Sequence, residues 1–311
     1  MEEEVYRNPT IDKRALKALS ERSDAKGLMQ LCGHLALLTF TTAAVLLAAH
    51  PLLYGPALLA QGVAITFLFA PLHECIHRTA FQNRRLNDLV ARVCGFLLLL
   101  PADYFRAFHF QHHRHTQNPA QDPELAGPPI TSLAAYLTHL SGLPYWRERT
   151  SAMVRHALGG IDEDFIPARQ KARIIGEARW HLAAYGVLLA GSLTAGSTLL
   201  LSLWLLPALL GQPFLRAFLL AEHSGCPQTD DMLVNSRTTQ TNAALRWLCW
   251  NMNRHSAHHA FPALPFHALP EADAMLGGKV VTRSRGYLTV QRDILAALRN
   301  RRGDQAGKTL S

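Results

Sequence analysis

Residues 52–77 read LLYGPALLAQGVAITFLFAPLHECIH, an apolar run that passes directly into His73-Glu74-Cys75-Ile76-His77. A helix needs about 20 apolar residues to cross a bilayer, so this stretch predicts a span that ends on two histidines four apart. Histidine is costly near lipid and is the commonest metal ligand, so its place at the end of a span calls for a reason. The run before it, LMQLCGHLALLTFTTAAVLLAA at 28–49, is almost free of charge, and His50-Pro51 separates the two. Together they predict a transmembrane hairpin with spans at about 28–49 and 52–72. Further on, 180–221 contains no acid and is too long for one helix; it predicts two more spans that turn near Gly196 or beyond.

The composition agrees with a membrane protein that carries a large polar part. Of 311 residues, 49% are hydrophobic and only 17% charged, against about 25% charged in ordinary soluble domains. The net charge of +8 rests on dispersed arginines. No nucleic-acid motif accompanies them, so a basic cytosolic face beside anionic lipid is the better account. The five cysteines form no Cys-x-x-Cys pair and suit a reducing compartment. The opening Met1-Glu2-Glu3-Glu4 is unlike a signal peptide.

The fold class expected is therefore an all-α integral membrane protein. Four transmembrane helices form two hairpins, joined by interfacial helices and topped by a cytosolic helical cap. The expected division is a cytosolic N-terminal segment at 1–27, with an amphipathic helix at 11–19, a membrane domain at 28–270, and a disordered cytosolic tail at 271–311. Residues 86–100 are apolar but short and carry Asp88 and Arg92, which predicts an interfacial or re-entrant helix. Residues 119–129 read as a turn-rich loop, and 130–180 as interfacial helices. Arg and Lys gather in 1–27, 78–180 and 222–311, while the links near 50 and 196–206 carry none. The positive-inside rule then puts both termini and the middle segment in the cytosol.

Two further histidine clusters lie on that same side: His109-Phe-Gln-His112-His113 and His255-Ser-Ala-His258-His259. On a helix, i, i+3 and i+4 share a face, so each cluster aims two or three imidazoles at one point. Neutral imidazole binds Fe, Zn, Cu and Ni. The predicted ligands are His73, His77, His109, His112, His113, His255, His258 and His259. The other histidines, His34, His50, His139, His156, His181 and His267, read as ordinary, and His115 is left out of the set. Glu74, Asp122 and Glu222 are candidates to orient ring N–H groups, or else plain interface charges and caps. His73-Glu74-x-x-His77 also matches a zinc-hydrolase motif with Glu74 as general base. One catalytic zinc needs three protein ligands, which would leave most of the other histidines without a task. The full count favours two metals.

At this point the residues carry a resemblance. The boxes His-x-x-x-His, His-x-x-His-His and His-x-x-His-His, in that order between two hydrophobic hairpins, resemble the membrane fatty acid desaturase family. His109-Phe-Gln-His112-His113-Arg-His115-Thr116 with Asp122-Pro123-Glu124 is similar to the family's second box. Asn251-Met-Asn-Arg-His255-Ser-Ala-His258-His259-Ala-Phe261-Pro262, with Pro265 and Leu269-Pro270, is similar to the third. Ala221-Glu222-His223-Ser224-Gly225 resembles the place where the family often adds one more ligand, which brings in His223. The resemblance implies two Fe2+ ions, no catalytic residue beyond the metal ligands, and an O2-dependent desaturase acting on an acyl chain or other aliphatic substrate. Hydroxylases and ketolases share the boxes, so a hydroxylase is the first alternative and a zinc hydrolase the second. The chain has no iron–sulfur, dinucleotide or haem motif of its own. The electrons are therefore expected from a separate ferredoxin or cytochrome b5-like donor with its reductase, docking on the basic face. The Ala-, Leu- and Arg-rich make-up leans toward a bacterial inner membrane, with the site on the cytoplasmic face.

Overall fold

Caps and chain breakers decide where the helices begin and end. The computed structural model describes residues 11–308, which are mostly helical. Residues 1–10 and 309–311, the outermost parts of the expected N-terminal segment and tail, lie outside the described residues. Asp12 accepts the Ala15 N–H and opens α1 (Lys13–Leu19), and Ser23 does the same from Lys26 for α2 (Asp24–Leu47). His50 caps α3 (Pro51–Thr66), whose first residue is a proline, at a position where the missing N–H has no partner to lose. After a break at Phe67-Leu68 comes α4 (Phe69–His77), and Arg78 ends it in the left-handed conformation. Asn83 accepts from Arg85 and Leu86 to start α5 (Arg84–Leu97). The middle of the chain holds α6 (Ala102–His115), α7 (Leu133–Leu140), α8 (Leu143–Ala157) and α9 (Ala168–Thr194). A π-helical turn, Leu201–Leu205, leads into α10 (Leu206–His223). Four short helices follow, α11 (Met232–Asn235), α12 (Ala243–Leu248), α13 (His255–Ala260) and α14 (Leu269–Leu276), and then α15 (Tyr287–Lys308).

Among the described residues, three helical stretches are long and apolar enough to cross a membrane: Asp24–Leu47, Pro51–His77 and Leu201–His223, with mean hydropathy 1.6, 1.7 and 1.5. α9 differs from the expectation at its start. It begins at Ala168, twelve residues before 180, because Arg169, Lys171, Arg173, Glu177 and Arg179 are all compatible with a helix even though they interrupt the apolar signal. The break between α9 and the next helix falls at Gly196, whose φ of +57° is a left-handed conformation that glycine adopts without steric cost.

The chain divides into two compact units. In the unit formed by residues 22–110 and 142–215, α2 packs along α3, α4 along α5, and α8 along α9. α3 also meets the start of α10 back to back. A Cβ on Gly62 would lie 2.2 Å from the Pro207 carbonyl oxygen, and one on Gly211 would lie 2.1 Å from the Gly62 carbonyl oxygen. Small residues let apolar helices approach closely where lipid offers no hydrophobic drive. Gly211→Leu is therefore expected to force the pair apart at about 3 kcal/mol or more, read as a large drop in the unfolding temperature of the detergent-solubilised chain; an unchanged temperature would refute the contact. The histidines read as ordinary serve the fold here. His34 Nε2 lies 2.9 Å from the Ala64 carbonyl, His156 Nε2 lies 3.0 Å from Glu163, and His181 Nδ1 donates to the Glu177 carbonyl at 2.8 Å.

The other unit comprises residues 1–21, 111–141 and 216–311. It corrects the expectation of a disordered tail. α15 is anchored by Tyr136 Oη donating to Gln291 Oε1 at 2.9 Å, by Gln291 Nε2 donating to the Ala217 carbonyl at 2.9 Å, and by Tyr287 stacked on Phe218 at 5.1 Å. Val290 and Leu298 are buried on the same helix. Eight residues apart, they share one face, a spacing that the surrounding arginines hide in the composition. A two-residue parallel pair, β1 (Thr238–Thr239) with β2 (Arg283–Ser284), ties this segment down further.

Candidate metal centre

Local sequence sets the histidine faces. α6 carries His109, His112 and His113 at i, i+3 and i+4, and α13 begins at His255 so that His258 and His259 repeat the pattern. Before α13, Trp250 and Asn251 both take positive φ, 51° and 60°. Asn251 Nδ2 donates to the Phe266 carbonyl at 3.1 Å and so pins the turn that delivers the third box; it orients the chain, not a ring. His223 is the last residue of α10, and the Arg237 guanidinium grips that end of the helix through the carbonyls of Ala221 and Ser224.

In the unit holding residues 111–141 and 216–311, four histidines converge. One ring nitrogen from each of His112, His223, His255 and His259 lies within 4.8 Å of the others. His223 Nε2 lies 3.2 Å from His112 Nε2 and 3.0 Å from His255 Nε2. The outer nitrogens decide the tautomers. His112 Nδ1 faces the buried Asp122 Oδ1 at 2.9 Å, His223 Nδ1 the Asn235 carbonyl at 3.1 Å, and His255 Nδ1 the Glu222 Oε1 at 3.3 Å. The Asp122 carboxylate and the Asn235 carbonyl accept, so Nδ1 of His112 and of His223 carries the hydrogen, whereas Glu222 stands beside His255 without fixing its tautomer. Thr116 Oγ1 gives its own hydrogen to the His112 carbonyl at 2.8 Å and therefore accepts from His259 Nδ1 at 3.1 Å. Nε2 of His112, His223 and His259 is left as a lone pair, and the His259 Nε2 is buried with no hydrogen-bond partner. Lone pairs about 3 Å apart in a dry interior repel unless a cation sits among them. This donor set fits a metal ion that prefers imidazole, three of the four rings being held from behind by an acceptor.

The electrostatics favour the same occupant. Burial pushes the His259 pKa well below its ordinary value, and the surrounding His113, His255, His223 and His112 push it further, so the ring stays neutral and able to ligate. At His112 burial acts downward too, but Glu124 and Asp122 outweigh it and raise the pKa, so positive charge is welcome beside this ring. Asp122 is held below its ordinary value. Burial opposes this, but the His112 ring and the N–H groups of Glu124 and Gln117 prevail.

The remaining predicted ligands gather within each unit. His73, His77 and His109 form a ring cluster with centroids 4.4–5.0 Å apart, and His73 Nε2 lies 2.7 Å from His109 Nε2. At that distance the two nitrogens share one proton or face one cation. In the other unit His113 Nε2 lies 3.0 Å from His258 Nε2. Two of the three candidate carboxylates face rings, Asp122 on His112 and Glu222 on His255. Glu74 Oε2 instead accepts the Thr79 hydroxyl at 2.8 Å. Sequence reasoning missed Thr116, Gln117, Asn235 and Arg237. Gln117 takes a positive φ of 65°, donates its N–H to Asp122 Oδ2 at 2.9 Å, and ties the His223 carbonyl through Nε2 at 2.8 Å. Only Thr116 left a signal, one turn beyond His112 and His113; Gln117 acts through its backbone conformation, and Asn235 and Arg237 come from distant chain, so these left none.

Comparison with known proteins bears on the same residues. The chain is 25% identical over 246 residues to an sn-1 oleoyl-lipid 12-desaturase of Picosynechococcus sp., a match covering 71% of this chain and 68% of that protein. It is 26% identical over 238 residues to the enzyme of the same name from Synechocystis sp., covering 69% of this chain and 66% of that protein. A beta-carotene 4-ketolase of Haematococcus lacustris is 25% identical over 224 residues, 70% of this chain and 61% of the ketolase. The family model described as fatty acid desaturase matches residues 32–289, from the first apolar helix through the third histidine box. The chain belongs to the fatty acid desaturase family.

Proposed function

We propose that this chain is a membrane di-iron, O2-dependent desaturase that introduces a C=C bond into an acyl chain or other aliphatic substrate. The observation that carries the reading is the convergence of His112, His223, His255 and His259, three of whose outer nitrogens, those of His112, His223 and His259, are held by an acceptor so that their lone pairs face inward. These four hold one ion. The remaining predicted ligands are left for a second ion, and His73, His77 and His109 among them cluster in their own unit. When bound, the iron pair would supply the oxidant that takes hydrogen from an unactivated C–H bond. The chain's own task is to keep the imidazoles neutral, to fix the tautomers of His112, His223 and His259 through Asp122, Asn235 and Thr116, and to hold water away by burial.

The reading includes four spans, with α9 crossing from about residue 180 and a helical cap bearing the boxes. It makes 28–270 the catalytic domain, with 1–27 and 271–311 as cytosolic flanks. The site then faces the cytoplasm of a bacterial inner membrane. A ferredoxin or cytochrome b5-like protein with its reductase delivers the electrons, and the bilayer presents the lipid substrate.

The test is the lipid and metabolite mass profile of cells with and without the gene, together with metal analysis of the purified chain. About two irons per chain and a product lighter by two hydrogens are expected. The ketolase among the relatives favours one second reading, oxygen insertion, and a product heavier by one oxygen would establish it. Stoichiometric zinc with oxygen-independent turnover would overturn both in favour of a hydrolase.

A further inference from the structure

The histidine-bearing helix α6 begins without a cap of its own. Pro101 precedes it and has no side-chain acceptor, yet a helix start leaves its first N–H groups unpaired. The acceptor arrives from 75 residues away. Glu177, on α9, places Oε1 3.0 Å from the Ala102 N and Oε2 2.8 Å from the Asp103 N, one oxygen for each of the first two N–H groups. Four residues earlier on α9, Arg173 holds the Asp103 carboxylate at 2.6 Å, and Arg92 of α5 approaches it at 3.9 Å. α9 therefore grips one turn of α6 twice, with its acid on the backbone and its base on the side chain.

We propose that Glu177 is a positioning residue for the metal centre: its carboxylate clamps the first turn of α6 and so fixes the placement along the helix of His109 and the histidines that follow. Two features separate this from routine capping. Both carboxylate oxygens are committed, so neither a single-acceptor side chain nor the protonated acid can reproduce the clamp. The negative charge also faces the positive end of the helix dipole, an attraction that burial and the Asp103 carboxylate outweigh. The charged and titratable groups around it are Asp103 of α6, Arg92 of α5, and Arg173, His181 and Tyr185 of its own helix. Burial first, and then the Asp103 carboxylate, carry the Glu177 pKa up to about 7, against the pull of the two N–H groups and Arg92.

The sign of the stability effect distinguishes positioning from mere support. A carboxylate whose pKa is higher in the folded chain than in the unfolded one makes folding more favourable as pH falls from about 7 toward the ordinary range. Removing its charge at pH 8 should therefore leave the unfolding temperature unchanged or higher. The clamp responds in the opposite sense, because acidification leaves one oxygen as a donor facing an N–H.

The experiment uses the full-length chain in detergent, wild type and E177Q, from pH 6 to pH 8.5. Amide hydrogen exchange at the first turn of α6 is corrected for the intrinsic rate, and Co2+ affinity is followed by its visible bands. In wild type, protection and Co2+ affinity are expected to rise together through pH 7. E177Q should stay at the low-pH level, with about tenfold weaker Co2+ binding at pH 8 and no loss of unfolding temperature. The proposal rests on the metal reading for its consequence, and the two fail differently. Wild type that binds no Co2+ overturns the metal reading, and exchange alone then decides the clamp. Unchanged exchange in E177Q overturns the clamp, and altered exchange with unchanged Co2+ affinity overturns its positioning role. A lowered unfolding temperature at pH 8 reduces Glu177 to a structural cap.

Discussion

Alanine at His223 is expected to cost the chain the metal held by its four-imidazole set and to lower turnover about a thousandfold, with the fold retained. His223 sits at the middle of that set. Its Nε2 is the neighbour of both His112 and His255, at 3.2 and 3.0 Å, so its removal breaks two contacts among the inward-facing lone pairs. Three imidazoles remain, arranged around a gap, and water fills the vacated position. Loss of a group that merely orients a ligand costs about 10–100-fold in metal affinity or activity, so loss of the ligand itself must exceed that range. Outside the site the cost is small, because Arg237 and Gln117 hold this end of α10 through backbone carbonyls and not through the ring. Metal analysis of His223→Ala beside wild type is the measurement, with His34→Ala as control. His34 is a buried histidine in the other unit whose ring bonds the Ala64 carbonyl. The control should lower the unfolding temperature and keep its metal. Full metal retention in His223→Ala would remove this residue from the ligand set.

The ease with which these features can be read from the sequence follows the range of the interaction behind them. His109, His112 and His113 share a face because of helix geometry alone, which acts over four residues and is legible in any sequence. The apolar runs behind α2 and α3 are legible for the same reason, since the length of a run of side chains decides whether it spans a bilayer. His223 stood in no local pattern, and only likeness to a family singled it out. The groups that fix the tautomers are less visible still. The Asn235 carbonyl belongs to a backbone and has no side-chain identity to read, and Gln117 acts by a left-handed backbone conformation that its residue type does not announce. α15 was missed for another reason. Its buried positions, Val290 and Leu298, are spread thinly among arginines, and a face that sparse shows only once Gln291 and Tyr287 are seen docked on their partners.

Asp122 is expected to show a graded loss of metal affinity, with Asp122→Asn about tenfold weaker than wild type and Asp122→Ala about a hundredfold weaker. The carboxylate is buried and fully used. Oδ1 accepts from His112 Nδ1 and from the Glu124 N–H, each at 2.9 Å, and Oδ2 accepts from the Gln117 N–H at 2.9 Å. Asparagine keeps the shape but turns one acceptor into a donor. Whichever way the amide is placed, its NH2 meets either the Gln117 N–H or the pair on the Oδ1 side, so one contact becomes repulsive. Alanine removes all three acceptor contacts. Each buried donor left unpaired costs about 1–3 kcal/mol, and the His112 ring is then free to choose the wrong tautomer, with the hydrogen on Nε2 and the lone pair pointing away from the site. The alanine variant should therefore lose stability as well as metal, whereas the asparagine variant loses mostly metal. Metal titration and thermal unfolding of both variants separate the two effects. If Asp122→Ala bound metal as tightly as wild type, the Asp122–His112 pair would be a structural contact only, and the tautomer argument for the four-imidazole set would have to stand on Asn235 and Thr116 without it.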